Sequence, residues 1–249
     1  MTAPPRVLLL VPARTYRAAD FIFAAERMGL DLVVASDGVL TAGDLTVTAV
    51  FDKPGMPDGP TFEETLLVSP SRLAADTLAA AVRTAADAAR ALGLSTGPVH
   101  AELRICDRGP AMLELAPRSI GGLCSRALSF PGGASLEEIV LANALGRPVP
   151  AGSGSAVPCG VFMLPVPRPG ILRAVEGRAD ALAVPGVTGL TITIPPGQRV
   201  RPLPDGDRYL GFIFASGDSP ADVEQALTAA SGRLRVIISD DRPGCRPSS

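Results

Sequence analysis

Apolar and polar positions alternate from Val99 to Leu115, interrupted only at Asp107-Arg108-Gly109. Val99, Ala101, Leu103 and Ile105 fall on one parity, and His100, Glu102 and Arg104 on the other. After the interruption Ala111, Leu113 and Leu115 oppose Met112 and Glu114. A period of two marks strands, and a short break containing Gly between two such runs marks a hairpin. Centring the turn on Arg108 sets Glu102 across from Glu114 and His100 across from Ala116. One face is then apolar and the other ionisable. Directly opposed residues have Cβ atoms roughly 4.5–5.5 Å apart, and like charges there destabilise the pair. A hard divalent cation with oxygen ligands would reconcile them. A solvated polar face, with Arg104 partly neutralising the glutamates, is the plainer alternative that the pattern leaves open. Arg118, of the same parity as Glu114, adds a planar anion-binding group just before the Ser119-Ile120-Gly121-Gly122 loop.

Around this hairpin the pattern predicts an α/β chain of α+β character. Arg6–Val11, the amphipathic Ala18–Gly29 and Asp31–Ala35 read as strand, helix, strand. Leu45–Phe51 and Glu63–Val68 read as strands flanking a Pro/Gly-rich loop, 54–60. A helix follows from Ser71 to Leu92, with Leu78, Val82, Ala85, Ala89 and Leu92 on one stripe that should pack against the hairpin, and Gly93 ends it. Ser135-Leu-Glu-Glu138 is a capping box for a helix closing at Gly146, and Ser219-Pro220 opens another closing at Gly232. The low-complexity segment 148–158 separates a C-terminal module with strands at Val161–Val166, Gly170–Val175, Leu190–Ile194, Tyr209–Ala215 and Leu234–Ile238. Arg201–Arg208 reads as a polar bend with local ion pairs. The expected organisation is 1–37, a βαβ segment; 38–149, the lobe carrying the hairpin; 150–240, an α/β module; and 241–249, a disordered tail.

Composition narrows the function classes. A net charge of −2 in 249 residues, no basic run, no Trp and only two Tyr leave neither an electrostatic field nor a stacking platform for nucleic acid. The apolar run Val7–Val11 is far shorter than the roughly 20 residues of a membrane span. Cys106, Cys124, Cys159 and Cys245 lack disulfide or metal spacing, which suits a reducing cytoplasm. Cys124 reads as a small buried hydrophobe, since no base is placed beside it by sequence.

The motifs His100-Ala101-Glu102 and Glu114-Leu-Ala-Pro-Arg118-Ser-Ile-Gly121-Gly122 resemble the C-terminal part of ATP-grasp enzymes of the bacterial carboxylate–amine ligase type. Phe51-Asp-Lys53-Pro, Gly59–Thr65, Ser69-Pro-Ser71 and the β-rich Gly170–Ile238 extend the resemblance over nearly all of residues 40–240. It implies that Glu102 and Glu114 hold Mg²⁺, with Mn²⁺ as the alternative ion. It further implies that Arg118 contacts the transferred phosphoryl group or the substrate carboxylate, and that Lys53, Gly121 and Gly122 border bound ATP. The implied reaction joins a small carboxylate to an amine through an acyl phosphate.

Two departures qualify that implication. Ala116 stands where many family members carry a metal-binding Asn, leaving two carboxylate ligands. The chain also passes near Asp37 from the opening βαβ directly into a stretch that the family reaches much later, as though most of the N-terminal and nucleotide-clamping lobes had been deleted. Of the 23 cationic side chains only Lys53 is a lysine, so the paired lysines that clamp the first two phosphates in the family are absent, although coding bias also favours arginine. Three readings follow: a ligase that is impaired or partner-dependent, a non-catalytic binding module, or a shortened chain not meant to act alone. In the second, another subunit or another copy of the chain covers the surface of the missing lobe.

Overall fold

The computed structural model describes residues 6–10, 27, 31–35, 45–54, 65–147, 157–203, 205–206 and 208–240. The expected helix 18–29 (apart from Arg27), the junction near Asp37, most of the 54–60 loop, the linker 148–156 and the tail lie outside them. The chain divides into two compact units, Met1–Val50 with Ser71–Ala156 and Phe51–Pro70 with Val157–Ser249. Among the described residues no helix is long and apolar enough to cross a membrane.

In the first unit, strands β1 (Arg6–Leu10) and β2 (Asp31–Ala35) pair in parallel, as strand–helix–strand patterning requires. Helix α1 (Ala75–Ala91) packs on the hairpin of β4 (His100–Cys106) and β5 (Gly109–Ala116), chiefly against β5. It begins later than expected because Ser71 Oγ accepts from the Leu73 amide instead of capping the helix. The packed stripe is Ala81, Ala85 and Ala89, whose small side chains allow close approach to the sheet. Leu92, expected on that stripe, is the C-cap residue and 63% exposed, because the chain has already left the helical path there. Gly93, with φ of 70°, ends the helix, and the Leu94 amide reaches back to the Ala89 carbonyl.

Helix α2 (Leu136–Ala144) is opened by the expected capping box. The Glu138 amide donates to Ser135 Oγ (3.2 Å), and the Ser135 amide donates to Glu138 Oε2 (2.7 Å). Glu138 also accepts an ion pair from Arg27 Nε at 3.3 Å. Ser135→Ala removes one half of a reciprocal cap, so a loss of about 1 kcal/mol in chemical unfolding is expected.

In the second unit, β3 (Leu66–Ser69), β6 (Cys159–Leu164), β10 (Gly211–Ser216) and β8 (Val187–Ile192) form one antiparallel sheet in that order. β11 (Arg235–Ser239), β7 (Gly170–Glu176) and β9 (Arg199–Val200) form a second. Its edge is tied by Arg235 to Glu176 and by Arg173 Nε to Ser239 Oγ at 2.8 Å. Helix α3 (Arg178–Leu182) and strand β9 carry no pattern long enough to be read from sequence. The expected strand Leu45–Phe51 is absent. Only Asp52 bridges Val68, through amide–carbonyl bonds of 2.7 and 3.0 Å, and the neighbours on either side make no ladder.

Helix α4 (Pro220–Ser231) starts at Ser219, whose Oγ accepts from the Asp222 amide, and lies on β3, β6 and β10. Val68, Leu172, Ile213, Val223 and Leu227 are fully buried in this core. Gly160 on β6 permits the helix to sit so close. A Cβ there would lie 2.7 Å from the Leu67 carbonyl oxygen and within 2.9 Å of side-chain carbons of Val223 and Leu227.

Candidate functional site

The hairpin brings Glu102 and Glu114 into direct register, with His100 opposite Ala116. It arrives there by a different path from the simple turn. Cys106 pairs with Gly109 across a two-residue Asp107-Arg108 loop, which taken alone would align Glu102 with Leu113. A bulge then shifts the register between Glu102 and Leu103, so that Leu103 pairs with Met112 and Glu102 with Glu114. The tighter turn and the bulge cancel at the glutamates. Leu113, expected among the apolar residues facing the helix, is the unpaired bulge residue and 62% exposed, and Ile105 near the turn is also exposed. Bulges re-aim side chains and recur beside active sites.

Each carboxylate has a nitrogen partner. His100 Nε2 lies 3.0 Å from Glu102 Oε1, and with the carboxylate ionised, as an acceptor only, that ring nitrogen is the donor. Arg118 Nη2 donates to Glu114 Oε1 at 3.0 Å, and its Nη1 donates to the Ser119 carbonyl at 3.3 Å. The two pairs differ in setting. The His100–Glu102 side chains are 14% and 21% exposed, whereas Arg118 and Glu114 are half-exposed. A half-exposed ion pair contributes about 0–1 kcal/mol, so Arg118 and Glu114 separate at little cost when a better partner arrives.

The glycine loop sits against this pair. A Cβ on Gly121 would stand 3.9 Å from Arg118 Nη1, so the guanidinium lies alongside bare backbone. Gly122 adopts φ of 62°, and Leu123 follows at φ of 53°, a left-handed conformation that a branched residue adopts only at a cost of about 1–3 kcal/mol. Leu123 is held there by burial at 1% exposure. This strained residue had no signal in the hydrophobic pattern, and the adjoining Gly-Gly pair is the nearest hint the sequence offers. Cys124 is buried, its thiol directed to the Gly122 carbonyl at 3.6 Å, as expected of a structural cysteine. Lys53 is exposed and belongs to the second unit. Glu102, Glu114, Arg118, Gly121 and Gly122 are thus placed together in the first unit, and Lys53 is not grouped with them.

Among the described residues no cluster of three or more His, Cys, Asp or Glu could enclose a metal ion. Two facing carboxylates nevertheless suit Mg²⁺, which typically takes one or two carboxylates and completes its shell with water and substrate phosphates. The donor set fits a metal held jointly with a phosphorylated ligand.

A model of the ATP-grasp domain matches residues 33–127, a span that holds Lys53, the hairpin and the glycine loop. A model of L-amino acid ligase C-terminal domain 2 matches residues 162–239, most of the second unit. By these matches the chain resembles ATP-grasp carboxylate–amine ligases. The chain is similar to the L-amino acid ligase from Bacillus licheniformis, at 25% identity and a TM-score of 0.68, covering 81% of this chain and 50% of that one. It shares its fold with N5-carboxyaminoimidazole ribonucleotide synthetase from Thermotoga maritima, at 20% identity and a TM-score of 0.60, covering 81% and 51%. Carnosine synthase 1 of Gallus gallus is 42% identical over 90 residues, which are 36% of this chain and 10% of that protein. The chain therefore spans about half the length of the solved relatives it matches and a much smaller part of the synthase.

Proposed function

We propose that this chain supplies the metal- and phosphoryl-holding side of an ATP-dependent carboxylate–amine ligase, with Glu102 and Glu114 as Mg²⁺ ligands and Arg118 as the catalytic cation. The carrying observation is the direct register of the two glutamates, with Arg118 bound to one of them. A bound Mg²⁺ would neutralise phosphate charge as ATP phosphorylates the carboxylate, before the amine attacks. His100 holds one oxygen of Glu102 and so fixes the carboxylate's orientation. Arg118, once released from Glu114, offers two parallel N–H groups to a phosphoryl or carboxylate oxygen pair. Gly121 and Gly122 keep side chains out of the space beside that guanidinium. Lys53 is proposed to meet the nucleotide, and the clamp on the first two phosphates must come from outside the described residues or from a partner. The substrates are a small carboxylate and an amine.

Calorimetric titration with Mg-ATP, alongside phosphate release in the presence of an amino-acid panel, tests this reading. Saturable binding with amine-dependent phosphate release is the expected result. Absence of binding at millimolar nucleotide removes it for the isolated chain and leaves the non-catalytic module, whose exposed Leu113 and Ile105 would then mark a partner-facing hairpin. Arg118→Ala is expected to lower phosphate release about a hundredfold, with nucleotide affinity within about threefold. Arg118→Lys should recover less than a tenth of the loss, because an ammonium cannot reproduce the planar fork.

A further inference from the structure

We infer that Arg118 is a latch on the metal site: it holds Glu114 until a divalent cation takes that carboxylate, and the cation's arrival releases the guanidinium to the anionic substrate. The inference rests on the reading of Glu102 and Glu114 as metal ligands and concerns how that site is controlled. The two carboxylates are held unequally. Glu102 is mostly shielded and its Oε1 faces His100 Nε2 at 3.0 Å, on a side chain that is shielded as well. Glu114 is half-exposed, and its Oε1 accepts from the half-exposed Arg118 at 3.0 Å. Solvent screening leaves such an outer pair favouring its closed arrangement by no more than about fivefold. Glu102 is therefore the standing ligand and Glu114 the exchangeable one.

A dication and a guanidinium do not share Glu114. Seated on one carboxylate they would stand a few ångströms apart, and a dication repels a unit charge about twice as strongly as the opposed unit charges of an ion pair attract at that distance. The cation gains both facing carboxylates only when the arginine leaves. Arg118 can leave without disturbing the hairpin. Its amide donates to the Ala116 carbonyl at 2.8 Å, so release is a side-chain rotation about an anchored Cα. Its second tie is long, from Nη1 to the Ser119 carbonyl at 3.3 Å. A Cβ at Gly121 would already stand 3.9 Å from Nη1, and its absence leaves the guanidinium room to turn along the loop. The consequence is linkage. A cation on Glu114 and an oxyanion on Arg118 each need the same pair open, so each strengthens the other's binding by the same factor, roughly two- to sixfold for a pair of this strength.

The test uses the full chain without nucleotide. Mn²⁺ binding is followed by electron paramagnetic resonance. In parallel, the rate at which phenylglyoxal labels Arg118 is read by peptide mass spectrometry, with the exposed Arg173 of the second unit as internal reference. Saturation with Mn²⁺ is expected to speed labelling of Arg118 roughly two- to sixfold and to leave Arg173 unchanged. Glu114→Gln, which keeps the size of the side chain but not its charge, should label at the fast rate before any metal is added. Arg118→Gln should bind Mn²⁺ roughly two- to sixfold more tightly than the parent, a gain that a misfolded variant cannot produce. Mn²⁺ binding with Arg118 labelling unchanged or slowed, a slow rate persisting in Glu114→Gln, or no gain in Arg118→Gln overturns the latch and leaves the metal ligands standing. No Mn²⁺ binding at all overturns both.

Discussion

Glu114→Gln is expected to abolish the magnesium dependence of nucleotide binding and to lower phosphate release by at least about a hundredfold. The substitution keeps size and hydrogen-bonding capacity but removes one of only two carboxylates that the hairpin presents. With no third protein ligand among the described residues, the metal would retain Glu102 and the phosphates alone. A hundredfold loss is about 2.7 kcal/mol of transition-state stabilisation, within what a metal ion supplies as a Lewis acid. The fold should barely notice. Opposed like charges in a strand pair cost about 0.2–1 kcal/mol, and neutralising one relieves that repulsion while forfeiting a half-exposed ion pair of similar size. Thermal unfolding without metal should therefore stay within about 0.5 kcal/mol of the parent. Calorimetry with ATP, with and without magnesium, checks the first part. A variant that binds Mg-ATP as tightly as the parent would remove the metal role from this residue.

The largest loss of stability is expected from Gly160→Val. The Cβ alone would sit 2.7 Å from the Leu67 carbonyl oxygen, which β3 backbone geometry holds in place, and the two methyl groups would meet Val223 and Leu227, both fully buried. Neither side can yield without moving α4 off the sheet. Overpacking of this kind costs about 3 kcal/mol at the upper end of its usual range. Urea unfolding followed by far-ultraviolet dichroism should show a lowered midpoint. Since β4, β5 and α1 belong to the other unit, the transition assigned to the hairpin should be unaffected.

Much of this arrangement is written in local sequence, and the particular residues show why. Ser135, Glu138 and Ser219 announce their helices because a cap needs only neighbours three residues away. Gly93 ends α1 by its own positive φ. The antiparallel strands of the second unit were legible because their apolar runs are short and bounded by turn residues. Leu45–Phe51 misled for the converse reason: its β-branched and apolar residues have the propensity of a strand, but a strand exists only where a partner offers a ladder, and only Asp52 finds one. Strand β9 is the opposite case, two residues made into a strand by their pairing with β7.

Sequence by itself determined the candidate chemistry of the hairpin. The parity of Glu102 and Glu114 about the Asp107–Gly109 turn, the Arg118 that follows and the glycine pair beyond it are one-dimensional facts, since strands alternate and turns punctuate. Tertiary structure alone decided how that chemistry is set. The Leu113 bulge restored the register that a two-residue turn would have broken, and the choice of partners, His100 for one carboxylate and Arg118 for the other, depends on side-chain packing. The strained Leu123 also belongs to the fold, its left-handed backbone held by burial. No period along the chain encodes a register shift or a buried left-handed residue, because both are set by pairing and packing rather than by a residue's own neighbours.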